Sequence, residues 1–321
     1  MDSHGLDLLS GRSRPMVLCA DMILFKRNAT LRERQLKRFR LAMLAPGLVL
    51  LFAINLLPIL DTLKTSFYDY YLPRPEAQTF VGFRNYIELF KDERFLASFG
   101  RTIVFTLMVV SAETLLGFAI ALALTSDFYG AKLCRGIFLL PIMLTPITTA
   151  FMWRIMYSPT LGILNYLLEL VGVAPQKWIY GAEQALPSVA AVVTWCKVPF
   201  MVMVFYTGLL SVSDDVLDAA KIDGASSWQI LLKIKLPLIR PVFFVAVLFQ
   251  TIDTAKEFDF TQILTRGGPG SATETLSIYT YLNSFGFLKM GYGSANAIIL
   301  SLFIGIIAYV LIRCGGVNFD Q

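Results

Sequence analysis

The sequence predicts an all-α, polytopic membrane protein with six transmembrane helices, and three observations carry that expectation. Of its 321 residues, 56% are hydrophobic and only 16% charged, a balance too apolar for an ordinary soluble domain. Six separate stretches hold the roughly 20 apolar residues needed to cross about 30 Å of hydrocarbon. Between the fourth and fifth lies one polar, charged stretch, Ser213 to Pro241, whose capping and turn residues mark a helix-turn-helix elbow outside the membrane.

The same composition removes several classes of function. His4 is the one histidine, so imidazole metal sites and histidine acid–base chemistry are excluded. Cys19, Cys134, Cys196 and Cys314 are far apart and form no C-x-x-C pair, which leaves neither a zinc nor a redox motif. The net charge of +5 comes with no basic patch interleaved with aromatics, so it reads as membrane orientation rather than nucleic-acid binding.

Taken in order, residues 1–40 form a polar tail with nine Lys or Arg, six of them between Arg27 and Arg40. The apolar run Pro15 to Phe25 is interrupted by Asp21 and followed by no small-residue cleavage site, which argues against a cleaved signal. Expected spans are Leu41–Leu60, Thr102–Leu124 (with Glu113 inside), Gly136–Tyr157 (with Pro141 and Pro146), Leu186–Leu210, Pro241–Leu264 and Ser294–Ile312. A short tail, 316–321, closes the chain. With the N-terminus placed inside, sixteen Lys and Arg fall on the inner side and nine on the outer, which puts both termini and the elbow in the cytoplasm.

Within the elbow, Ser213 followed by Asp214 and Asp215 reads as an N-cap with acids in the first turn. Gly224 is placed to end this first helix in a left-handed cap, and Ser226-x-x-Gln229 opens a second with a capping box. Pro237 ends that helix, while Pro241 suits the first turn of the next span. Without further information this is an ordinary amphipathic loop between two spans.

Its residues, however, resemble a family signature. Asp218-Ala219-Ala220, Gly224 after three residues, and Ile234-x-Leu236-Pro237 after nine more are similar to the EAA loop of the membrane subunits of binding-protein-dependent ABC importers, with Asp218 where that family usually has Glu. The resemblance implies a coupling helix that docks on an ATPase subunit. Asp218 and Asp223 offer an acidic handle, Ala219, Ala220, Gly224 and Ala225 permit close approach, and Trp228 is a large anchor. Two outer segments extend the likeness. Phe80-Val81-Gly82-Phe83-Arg84-Asn85-Tyr86 resembles the F-x-G-x-x-N-Y stretch of maltose-type (F-type) sugar permeases, and Leu264-Thr265-Arg266-Gly267-Gly268-Pro269 with Thr273-Glu274-Thr275-Leu276 resembles their L-T-x-G-G-P and T-E-T-L. Together they cover residues 40–315 and imply a type I ABC importer permease.

The fifth expected span carries Gln250, Asp253, Thr254, Lys256, Glu257, Asp259 and Thr261 within twelve residues. Charges at mid-membrane cost about 2.5–3.5 kcal/mol each, so they face protein or water rather than lipid. Gln250, Asp253, Thr254, Glu257 and Thr261 share one face of a continuous helix. That face is either a cavity wall or one side of a structural ion-pair network; Lys256 lies three residues from both Asp253 and Asp259. Lys197 and Arg154 add cations, flanked by Trp195 and Phe200 and by Trp153 and Tyr157 respectively. By the resemblance, Gln250, Asp253, Thr254, Glu257, Lys197 and Phe200 correspond to substrate-contacting positions, and Trp153 joins them as a stacking candidate. Glu113 reads as a hydrogen-bonded carboxyl between helices.

The expected function is therefore the permease subunit of an ATP-driven importer for a sugar or polyol, in a bacterial or archaeal cytoplasmic membrane. Expected partners are a second, similar permease, two ATPase subunits and an extracytoplasmic binding protein. The chain has no G-x-x-x-x-G-K-[ST] phosphate loop, so ATP and Mg belong to the ATPase subunits and this chain is no enzyme. The alternative is a stand-alone cation- or proton-coupled transporter using the fifth-span carboxylates.

Overall fold

The computed structural model describes residues 14–126 and 129–315; the expected tail 316–321 and the first thirteen residues lie outside the described residues. The chain divides into two units between Asp61 and Thr62. The first is helical: α1 (Arg14–Thr65) begins within it. The tail expected as a separate segment through residue 40 and the span 41–60 are thus one helix. Met16 to Arg40 contains no glycine or proline to interrupt it.

In the second unit a two-stranded ribbon, β1 (Tyr68–Asp69) and β2 (Thr79–Phe80), pairs antiparallel with Tyr68 opposite Phe80. Then come the short amphipathic α2 (Arg84–Lys91) and the long α3 (Glu93–Leu124). Asn85 of the F-x-G-x-x-N-Y stretch donates to the carbonyls of Ser66 and Tyr68 at 2.8 and 2.9 Å, and Tyr86 shares a 2.7 Å hydrogen bond with the Ser66 hydroxyl. The motif thereby satisfies carbonyls that the end of α1 leaves unpaired. Asp92 caps α3 through the Arg94 N–H at 2.8 Å and accepts the hydroxyls of Tyr279 and Tyr292 at 2.6 and 3.1 Å. Burial pushes its acid up, but these three bonds outweigh burial and leave it below the usual carboxylate value.

The third expected span is two helices, α4 (Ala131–Met143) and α5 (Pro146–Met156), bent by 96°. A proline drives the residue before it out of the helical region. Thr145 is accordingly extended, and its hydroxyl caps the N–H of Thr148 at 3.3 Å. The short α6 (Ile163–Leu170) is pinned through Asn165, which bonds Pro159, Gln176 and Trp178. It leads to α7 (Ala182–Leu210), which packs along α3. Their contact is closest at Gly117, where a β-carbon would meet that of Met201 at 2.5 Å. Phe105, Val109, Val189, Val193 and Phe260 form one buried cluster, and Ala121, Met201, Phe205 and Ile239 a second.

The elbow comprises α8 (Asp214–Ile222) and α9 (Ser227–Ile230). Contrary to expectation, Pro237 does not end the second helix. The chain passes through one widened turn, Leu231–Lys235, into α10 (Leu236–Ala255), with Pro237 in its first turn and Pro241 inside. The N–H of Leu236 reaches back five residues to the Leu231 carbonyl. This enlarged turn absorbs the backbone adjustment that the prolines impose.

The fifth expected span also breaks: α10 stops at Ala255 and α11 (Asp259–Leu264) begins anew. The Glu257 carboxylate takes the Phe260 N–H at 3.1 Å, so an acid that the periodic pattern assigned to the helix interior serves at its restart. The fold closes with α12 (Leu276–Tyr281) and α13 (Met290–Gly315). Among the described residues, four helices are long and apolar enough to cross a membrane, in the ranges Arg38–Thr65, Glu93–Leu124, Ala182–Leu210 and Met290–Cys314; the bent α4–α5 pair taken as one span makes five.

A clasp holds the segment before α12. Glu274, only 2% exposed, accepts two bonds from Arg94 at 2.8 and 2.7 Å, and the Leu276 N–H bonds the Thr102 hydroxyl at 2.8 Å. Glu274→Gln should lower the stability of the purified protein by about 1.5–3 kcal/mol, the worth of hydrogen bonds to a charged group. Thermal unfolding in detergent checks this; an unchanged midpoint would show that the clasp carries no stability.

Candidate functional site

Two places concentrate the residues singled out from the sequence. In the elbow, Gly224 has φ +77°, the left-handed conformation that glycine adopts without steric cost. The N–H of Gly224 bonds Lys221 O and that of Ala225 bonds Ala220 O, both at 3.0 Å, the paired bonds of a Schellman cap. Ser226 and Gln229 form the reciprocal capping box. Ser213 occupies the N-cap of α8, but its hydroxyl makes no capping bond.

These caps turn one face of the elbow outward. Asp218, Ala219, Asp223, Gly224, Trp228 and Pro237 are exposed, whereas Ala225, Ile234 and Leu236 are half-buried and Ala220 is buried. Trp228 is 71% exposed, and Ile222, which sequence reasoning passed over, is 86% exposed. Ile222 lies four residues after Asp218, on the same helical face; that spacing is the signal that finds it. A bare isoleucine and tryptophan beside carboxylates have the character of a contact surface. Asp218 holds Lys221 at 2.8 Å, and this bond raises the lysine's acid constant. Because both groups are exposed, water competes for the pair and it adds little stability.

The second place joins α7 to the end of α10. Lys197 reaches Asp253 at 2.7 Å and Glu257 at 3.1 Å, and Lys256 lies 3.5 Å from the other Asp253 oxygen. Lys197 and Glu257 are 15% and 9% exposed, Asp253 46%. The cluster therefore has a closed side and an open side. Glu113 of α3 is fully buried and accepts the Gln250 amide at 2.6 Å, an interhelical hydrogen bond as expected.

The remaining candidates separate. Thr254 is buried, and Thr261 belongs to α11, so the single five-residue face splits at Ala255. Phe200 packs against the cluster around Met201 and Phe205. Trp153 packs edge-on to Trp195 at 5.6 Å, and Arg154 donates to the Ile263 carbonyl at 3.1 Å. Phe249, 60% exposed, was overlooked; Phe249, Asp253 and Lys256 follow i, i+4, i+7 along α10 into the first residue past its end. Such a stripe of ring, carboxylate and ammonium can stack on a sugar and hydrogen-bond its hydroxyls.

Comparison with known proteins agrees with this geometry. Residues 86–314 match the family described as "Binding-protein-dependent transport system inner membrane component". The chain is 33% identical over 271 residues to the "Trehalose/maltose transport system permease protein MalF" of Thermococcus litoralis, covering 84% of this chain and 90% of that protein. It is 32% identical to the "Trehalose transport system permease protein SugA" of Mycobacterium tuberculosis, covering 87% and 89%. In fold it is similar to a chain of a bacterial ABC transporter involved in the import of the acidic polysaccharide alginate, with a TM-score of 0.79 at 18% identity over 91% of this chain and 100% of that one.

Proposed function

The chain belongs to the family of binding-protein-dependent transport system inner membrane components, and on that premise we propose that it is the permease subunit of an ATP-driven importer for a sugar or polyol. One observation carries the reading. Asp253 is 46% exposed within a cluster that α7 and α10 hold among apolar spans, and a charge so placed faces a path or a partner, not lipid. The curated relatives named for trehalose and maltose transport support a sugar as cargo.

In this reading the chain crosses the cytoplasmic membrane six times with both termini inside: residues 41–315 form the permease domain, the residues before it a cytoplasmic tail, and the elbow 213–241 meets the ATPase. A second permease, two ATPase subunits carrying ATP and Mg, and an extracytoplasmic binding protein complete the assembly. Asp218, Asp223 and Trp228 grip the motor; Lys197, Gln250, Asp253 and Glu257 line or brace the path.

Co-purification tests the assembly, because an importer subunit brings an ATPase with it, whereas a stand-alone transporter moves substrate alone. Asp218→Lys tests the grip. It should cut uptake by about tenfold or more, since opposed like charges at an interface cost several kcal/mol, while membrane insertion stays intact. Asp218→Glu should keep near-parental uptake. Equal uptake by Asp218→Lys and the parent, at matched expression, would show that the motor grips elsewhere.

A further inference from the structure

The charge inventory where α7, α10 and α11 meet points to a class of cargo, and we propose, resting on the importer reading above, that this chain's wall favours uncharged polyhydroxylated sugars over carboxylated or sulfonated ones. Lys197, the most enclosed cation, is already held by two carboxylates at 2.7 and 3.1 Å. Arg154 is committed to the Ile263 carbonyl. Lys256 is exposed but stands 3.5 Å from Asp253.

Against the two lysines stand three carboxylates, because Asp259 is also exposed and makes no ion pair among the described residues. An anionic sugar would have to displace a carboxylate from Lys197 or approach a wall with surplus negative charge. In a path walled by protein, that repulsion is screened less than in bulk water. A neutral polyol meets no such term. It finds acceptor oxygens on Asp253, donors on Lys256 and an exposed ring at Phe249, all on the open side of α10.

The test uses the whole assembly reconstituted in liposomes with its binding protein. A panel of neutral disaccharides and polyols is offered, each beside its C6-oxidised uronate, and uptake and ATPase stimulation are read. At least one neutral sugar should be moved, with its uronate moved about tenfold less. The binding protein also sorts sugars, so this chain's share is read from Asp253→Asn and Asp259→Asn with the binding protein unchanged. Each should raise the uronate-to-neutral ratio about fivefold, and Asp259→Asn breaks no ion pair, so it remains informative if Asp253→Asn fails to assemble. Uronates moved as well as their neutral counterparts by the parent overturn the proposal while leaving the importer reading in place. A ratio unmoved in the assembled variants also overturns it, assigning the sorting to the binding protein. An intact, ATP-hydrolysing complex that moves nothing in the panel removes the sugar reading itself, and this proposal with it.

Discussion

Gly224→Leu should leave the protein inserted and folded yet stop sugar uptake. At φ +77° a residue with a β-carbon is strained, but a β-carbon built at Gly224 meets nothing within 4 Å. The cost to the chain is therefore limited to the backbone term, about 1–2 kcal/mol, against a total stability on the order of 5–15 kcal/mol for a domain. That loss is too small to remove the folded protein. What the leucine does fill is the space beside Asp218, Ile222 and Trp228, where the ATPase is proposed to seat. Gly224→Asn, which tolerates the left-handed conformation and adds less bulk, should retain part of the uptake. Uptake and ATPase activity of the assembled complex at matched expression decide the matter. Normal transport by Gly224→Leu would sink the docking reading of the elbow.

Lys197→Met is expected to be the most damaging substitution within the spans. It removes the cation between Asp253 and Glu257 and leaves two carboxylates, one of them only 9% exposed. Breaking a buried pair from one side costs about 3–5 kcal/mol, so assembled complex should fall sharply and uptake vanish. The triple variant Lys197→Met, Asp253→Asn, Glu257→Gln should recover assembly, since replacing all partners leaves no unpaired charge, but should not recover uptake. Size-exclusion yield separates the two quantities. If the triple variant transports as well as the parent, the cluster is a brace and nothing more; if Lys197→Met assembles normally, the ion pairs do not hold α7 to α10.

What was legible in the sequence follows from how local each signal is. The Gly224 cap and the Ser226–Gln229 box are written within four residues of themselves, and the structure forms both. The partnership of Lys197 with Glu257 spans sixty positions; the sequence placed both in the interior, but only the packing of α7 against α10 pairs them. Periodicity misled where it assumed that a helix continues. Nothing in the spacing of Gln250 to Thr261 reveals that α10 ends at Ala255, because that end depends on Glu257 capping the next helix. The outer motifs were visible as a likeness, but their physical work was not: Asn85 closes the end of α1 and Glu274 clasps Arg94. Ile222 and Phe249 escaped notice because an apolar residue in an apolar chain gives no contrast until its exposure is known.

The widened turn at Leu231–Lys235 has a mechanical consequence. Ser227 to Ala255 is an uninterrupted helical path of 29 residues without a glycine, roughly 40 Å of beam at the usual rise per residue. Trp228 sits at one end and Asp253 at the other, with no joint between them in which a push can be lost. Lys197 rides on a different helix. A stroke delivered to the elbow and carried along this beam therefore shears the Lys197–Asp253 contact, so the motor's thrust and the loosening of the cluster are one displacement, with the five-residue turn as its single point of give.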